Sequence, residues 1–371
     1  VAAVVAAVVA MHAAAPALAR APAVAPPDQL RARSPDDAAV IHAAAEKLLL
    51  RTRTDPDPRV VAQTEALIEQ ALRAAPRAPR TWTLKAWSEL AGHRFADALA
   101  SARTAERLGA RDGVTLGLTA DALVELGRYP EAVEVTQRMI DRFPGLAAWS
   151  RAAHLRFLHG DLDGAIGLMQ QAAAAGAPAS EPVAWVLLQL AELQLHRSDT
   201  EAAGTVVRQV LGWSPTSSQA LAQAARVEEA QGRPRQALEY LREAMREQPT
   251  PEHAFAAWRM ARRAGDVAET KRQAALLQGM GRLDAPGLYR RLFAEFYCEF
   301  RETRALAEQL ARAELAARPE LYSHAVLAWV LFRAGNLAEA ARHAKQSLRL
   351  NTPDRELRER ARTILRAAAV R

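Results

Sequence analysis

Apolar side chains along this chain recur at helical spacing, not with the two-residue alternation of strands. At five places a bulky apolar residue stands four positions before an alanine: Trp82/Ala86, Leu116/Ala120, Trp149/Ala153, Leu187/Ala191 and Leu221/Ala225. That i,i+4 step puts both residues on one helix face. Twelve residues after each of these alanines comes another, giving Ala86/Ala98, Ala120/Ala132, Ala153/Ala165, Ala191/Ala203 and Ala225/Ala237, with a sixth pair at Ala328/Ala340. The first members lie 34, 33, 38, 34 and 103 residues apart, the last interval being about three periods of 34, which is repeat-array spacing. Alanine makes up 85 of 371 residues, so composition alone gives a fixed pair odds of roughly one in twenty; six pairs in eight candidate units mark an internal repeat.

A second landmark falls five residues before the later alanine, where Gly127, Gly160, Gly232 and Gly335 stand, and Gly265 takes the same place ahead of Thr270. His93, Ser198 and Phe300 occupy it elsewhere. The pattern predicts two helices per unit with this residue at the bend, the paired alanines letting the helices approach and the bulky residue filling the space beside them. Proline agrees. Pro130 and Pro234 fall in the first turn of a second helix, where a missing N–H is harmless, and Pro76, Pro144, Pro215, Pro249, Pro319 and Pro353 fall near unit ends. No alternating Val/Ile/Thr run bounded by turn residues occurs between 36 and 371.

In three stretches, Leu126-Gly127-Arg128-Tyr129-Pro130-Glu131-Ala132, His159-Gly160-Asp161-Leu162-Asp163-Gly164-Ala165 and Ala334-Gly335-Asn336-Leu337-Ala338-Glu339-Ala340, the chain resembles the tetratricopeptide repeat family. The resemblance covers roughly 59–350. It implies an all-α, right-handed superhelical solenoid of about eight to nine helix-turn-helix repeats, with a degenerate first helix before residue 59 and a capping helix over 353–369 to cover the last apolar face. Two units depart from the pattern, with Trp258 and Phe293 where the small residue belongs, and a looser or bent stack is expected there.

Composition fits one elongated helical body over 36–371: half the residues are hydrophobic but only 5% are aromatic. Residues 1–19 form a weakly apolar stretch ending Ala17-Leu18-Ala19, which reads as a signal peptide and points to a periplasmic or secreted protein; a disordered start would instead leave it cytoplasmic. Residues 20–35, with four prolines, read as a linker. The lone Cys298 excludes a disulfide framework and reads as packing.

Net charge is +7, divided as −1 over 1–215 and +8 over 216–371. Arginine bias of GC-rich bacterial coding accounts for much of this. A functional reading gathers Arg259, Arg262, Arg263, Lys271, Arg272, Arg290 and Arg291 into a basic patch facing an acidic partner. No HExxH, GxGxxG, Walker or GxSxG stretch is present, and no carboxylate pair stands out, so the chain reads as a non-enzyme without cofactor or metal. In the resembled family the first helices line a concave, ligand-holding surface, and the residue after the small first-helix position faces it. Here that series is Trp87, Asp121, His154, Glu192, Arg226, Arg259, Ala294 and Trp329. It differs from the Lys/Asn set with which family members clamp a C-terminal carboxylate, and Trp87 and Trp329 are the expected anchors. The sequence thus points to a scaffold holding a protein or peptide, with nucleic acid disfavoured and no stable membrane insertion. The alternatives are polyanion binding by the arginine-rich second half and an adaptor role in an envelope polysaccharide-export machine.

Overall fold

The computed structural model describes residues 35–51, 58–284 and 287–369. The expected signal peptide and nearly all of the expected linker lie outside them. Among the described residues there are nineteen α-helices, one short 3-10 turn at Arg301–Thr303 and no strand. In chain order these are α1 Pro35–Arg51, α2 Pro58–Ala74, α3 Pro79–Ala91, α4 Phe95–Arg107, α5 Gly113–Glu125, α6 Tyr129–Arg142, α7 Leu146–Leu158, α8 Leu162–Ala174, α9 Glu181–His196 and α10 Thr200–Trp213. They continue as α11 Ser218–Ala230, α12 Pro234–Glu247, α13 Pro251–Ala264, α14 Val267–Leu283, α15 Arg290–Tyr297, α16 Arg304–Ala317, α17 Leu321–Ala334, α18 Leu337–Ser347 and α19 Arg355–Ala369. The fold is all-helical, its helices packed in consecutive pairs. None of them is long and apolar enough to cross a membrane. The chain divides into two compact units, unit 1 up to Ala152 and unit 2 from Ala153.

All twelve alanines of the six pairs are buried, none more than 2% exposed. A methyl group is the largest side chain that fits where two helix backbones approach this closely, and the bulky partner four residues earlier fills the adjoining space. In unit 1, α1 is the degenerate first helix, with Ile41, Ala45, Leu48 and Leu49 buried. At the other end of unit 2, α19 buries Leu357, Ala361 and Ile364, so the last hairpin does not expose its apolar side.

The bends share one construction. His93, Gly127, Gly160, Ser198, Gly232, Gly265 and Gly335 all have φ between 57° and 89°, so seven of the eight bend positions are left-handed. In each, the next residue's N–H closes onto the carbonyl five residues back, from Arg94 to Glu89, Arg128 to Leu123, Asp161 to Arg156, Asp199 to Gln194, Arg233 to Glu228, Asp266 to Ala261 and Asn336 to Leu331, all at 2.8–2.9 Å. That is the helix-terminating geometry in which glycine is preferred. Asp161, Asp199, Asp266 and Asn336 then cap the following helix, each accepting the N–H three residues on.

Phe300 is the exception. It has φ −110°, the 3-10 turn replaces the left-handed bend, and the preceding α15 has only eight residues. The irregularity falls on the Phe293 repeat. Trp258, by contrast, is tightly packed: its ring meets Phe296 edge-on at 5.2 Å and lies 5.7 Å from Phe255. Aromatic interlock therefore replaces the small-residue contact in these two units, where a looser stack was expected. Gly281 on α14 makes room for it, since an added Cβ would collide with the Tyr297 hydroxyl and press on Phe293.

Replacing the fully buried Ala165 with Leu overpacks its surroundings and is expected to cost about 1–3 kcal/mol in denaturant melts. Ala179 is exposed and held at φ 57°, a conformation that disfavours a Cβ. Ala179→Gly should therefore raise stability by about 0.5–1 kcal/mol, read as a higher melting temperature.

Candidate functional site

In unit 1 the two series positions are structural. Trp87 is only 2% exposed, which corrects the expectation of an exposed anchor there: its helix turns the indole into the core formed with Leu84 and Leu90. Asp121 is buried against Arg151, whose Nε and Nη2 donate to its two carboxylate oxygens at 2.9 and 2.7 Å. Arg151 also donates to the Ala147 carbonyl at 2.9 Å. Burial pushes the Asp121 carboxyl above its ordinary value, and the guanidinium opposes this. The pair ties one first helix to the next and offers nothing to a ligand.

Unit 2 brings four of its series positions, Glu192, Arg226, Arg259 and Trp329, into polar contacts. Glu192 on α9 accepts Arg226 Nη2 of α11 at 2.5 Å and Gln223 Nε2 at 3.1 Å, with His196 Nε2 3.2 Å away. Burial alone would raise the Glu192 pKa, but Arg226 and His196 hold it well below the usual carboxylate range. Arg259 on α13 donates to Glu356 on α19 at 3.3 and 3.4 Å, across 97 residues of sequence. Arg360, one turn further along α19, donates to Glu356 at 2.6 Å and to Glu295 of α15 at 2.9 Å. Its guanidinium lies 5.2 Å from the Trp329 ring centroid, with that of Arg333 at 6.0 Å from the same ring. Glu356 is held low by Arg360, Arg259 and Arg226 together, against the effect of its own burial.

Arg226, Arg259 and Trp329 thus belong to one side of unit 2, and a helix of the same chain already rests on it. Asn351 and Arg355 extend the contact: the Asn351 carbonyl packs against Gly160, and Arg355 bonds the Ser198 hydroxyl. The stretch 353–369, expected from sequence as a cap, thus has a second role. The signal for its second role is the charged run Arg355-Glu356-Leu357-Arg358-Glu359-Arg360, with Glu356 and Arg360 at i,i+4. The partners of this run lie up to 157 residues away, the distance from Arg355 to Ser198, which spacing does not reveal.

The other expected residues are placed differently. His154 is half-buried, and burial lowers its pKa to about 4. Ala294 is fully buried. The arginines of the expected basic patch are engaged one by one: Arg262 with Glu299 at 3.2 Å, Arg263 with Glu229, and Arg291 with Glu320 at 3.0 Å, while Arg290 lies in the field of Asp284. The sequence shows their charges, and tertiary pairing matches Arg262, Arg263 and Arg291 to carboxylates. Cys298 is buried, its thiol donating to the Glu295 carbonyl at 3.1 Å and pushed up to about 12, first by burial. Among the described residues no group of three His, Cys, Asp or Glu could hold a metal ion. The nearest arrangement is a histidine pair, His324 and His343, with Nδ1 atoms 2.9 Å apart and rings stacked at 5.2 Å.

No protein-family model matches the sequence, and no curated protein matches it. Among solved structures the chain is similar to the human IFIT1 dimer with PPP-AAAA, at TM-score 0.56 and 17% identity over 86% of this chain and 73% of that one. It is also similar to the APC/C hetero-tetramer Cut9-Hcn1, at TM-score 0.50 and 15% identity over 90% of this chain and 63% of the other. Both are tetratricopeptide-type helical-repeat structures, and the likeness is one of fold.

Burial, and then His343 and Arg349, lower the His324 pKa to about 4 against an ordinary 6.5, with Glu320 opposing. Between these values the unfolded chain takes up a proton that the folded chain refuses, so stability falls as the solution is acidified from pH 6.5 towards 4. His324→Asn should flatten that part of a plot of melting temperature against pH.

Proposed function

We propose that this chain is a non-enzymatic helical-repeat scaffold that holds a protein or peptide partner on the first-helix side of unit 2. The observation that carries the reading is the helix already seated there. Glu356 in the field of Arg226 and Arg259, and Arg360 between Glu295 and the Trp329 ring, support a grip on a helix that offers a carboxylate and a cation one turn apart. The surface is built into packed helices, so little conformational freedom is lost on binding. A partner with the same two charges takes the place of Glu356 and Arg360 without new chemistry. The Ala17-Leu18-Ala19 stretch supports an export signal, which would put this scaffold in a bacterial cell envelope.

Affinity capture from envelope extract tests the reading. Trp329→Ala should reduce recovery of the partner. Glu356→Gln/Arg360→Gln, which loosens the resident helix, should increase it, and a synthetic peptide of residues 353–369 should compete. Recovery unchanged by all three, with the variants folded by circular dichroism, overturns the assignment.

A further inference from the structure

A cleft of about 370 Å³ opens in unit 1 where the C-terminal ends of α4 and α6 meet the first turn of α5. Four arginines line it: Arg107 and Arg111 from the end of α4 and the turn beyond, and Arg138 and Arg142 one turn apart on α6. Two carboxylates share the cleft, and both are engaged. Asp112 accepts the Thr115 N–H at 2.8 Å and the Thr115 hydroxyl at 3.1 and 3.2 Å, as the cap of α5. Glu106 lies 3.7 Å from Arg138. The other three arginines have no ion-pair partner among the described residues. Arg107 donates to the Thr104 hydroxyl at 2.8 Å, Arg111 to the Glu106 and Ala110 carbonyls at 2.9 and 2.8 Å, and Arg142 to none of these groups.

This placement runs against the chain's composition. The sequence carries its positive excess after residue 215, where Arg226, Arg259, Arg262, Arg263 and Arg291 are each paired with a carboxylate. Residues 1–215 are net −1, yet here three arginines without an ion-pair partner among the described residues line one concavity. Arginine's planar fork matches phosphate oxygens two at a time. Arginines contributed by the ends of two helices offer more donors than one phosphate group can engage, and the cleft lies within the size range of small-ligand sites.

We infer that this cleft binds an oligophosphate, the linear di- or triphosphate group of a free polyphosphate or of a nucleotide. The two sources share the chemistry that the arginines read. Isothermal titration of the full chain with tripolyphosphate and with ATP at low ionic strength separates them: equal affinity assigns recognition to the phosphates alone, and tighter ATP binding adds the nucleoside. Arg107→Gln/Arg142→Gln should weaken either probe about tenfold or more. Arg208→Gln/Arg235→Gln, which removes two exposed charges elsewhere, should leave it unchanged. Affinity should also fall as salt is raised towards physiological strength. The proposal is overturned by absence of binding at about 1 mM tripolyphosphate, the weak limit of a specific site. It is also overturned by equal losses in the two double variants, or by polyglutamate binding as tightly as tripolyphosphate. Ligand-free melting curves of each variant separate loss of the site from loss of the fold.

Discussion

Everything in this molecule is built on the close approach of two helix backbones across a buried methyl group. Where a hairpin carries alanine at both contact positions, the helices nest, the bulky residue one turn away is pressed into the space beside them, and the hairpin presents a first-helix face of fixed register. Consecutive hairpins repeat that register. In unit 2, Arg226, Arg259 and Trp329 hold equivalent positions of their hairpins and fall on one side, and the last helix resting there brings Glu356 within hydrogen-bonding range of Arg259. Where the alanine is replaced by Trp258 and Phe293, the contact is rebuilt from aromatic edges and faces, and the Phe293 repeat also loses its regular bend.

The bend is the second constraint. A left-handed residue followed by a residue whose N–H reaches five positions back ends one helix and aims the next, whether or not that residue is glycine. His93 and Ser198 adopt it at an inherent cost of about 1–2 kcal/mol each, because the packing of the two helices fixes the direction of the chain. The hairpin dictates the backbone there and the side chain tolerates it.

Charge works by a different logic. This chain carries many arginines, and most of those expected to form a basic surface are matched to a carboxylate on a neighbouring helix. Pairing converts a compositional excess into local cross-links, among them the buried Arg151–Asp121 pair and the Arg259–Glu356–Arg360–Glu295 chain. What distinguishes a surface able to recruit a partner is therefore the arrangement of cations lacking such a match, or paired only with a segment that can be exchanged.

Sequence alone determined the repeat, the helix pairs, the bend positions and the capping helix, because each follows from contacts within one hairpin, some twelve residues apart, where spacing maps directly onto geometry. Even the bends lacking glycine were located by register. Which groove side chains stay accessible was decided by tertiary structure: Trp87 and Asp121 are buried, and Arg226, Arg259 and Trp329 face the carboxylate and guanidinium of a helix near the end of the chain. The same holds for charge, since a sum over sequence cannot tell a matched arginine from an unmatched one. Local periodicity is a property of neighbours in the chain, whereas burial and ion pairing depend on which distant helices the stacking brings face to face.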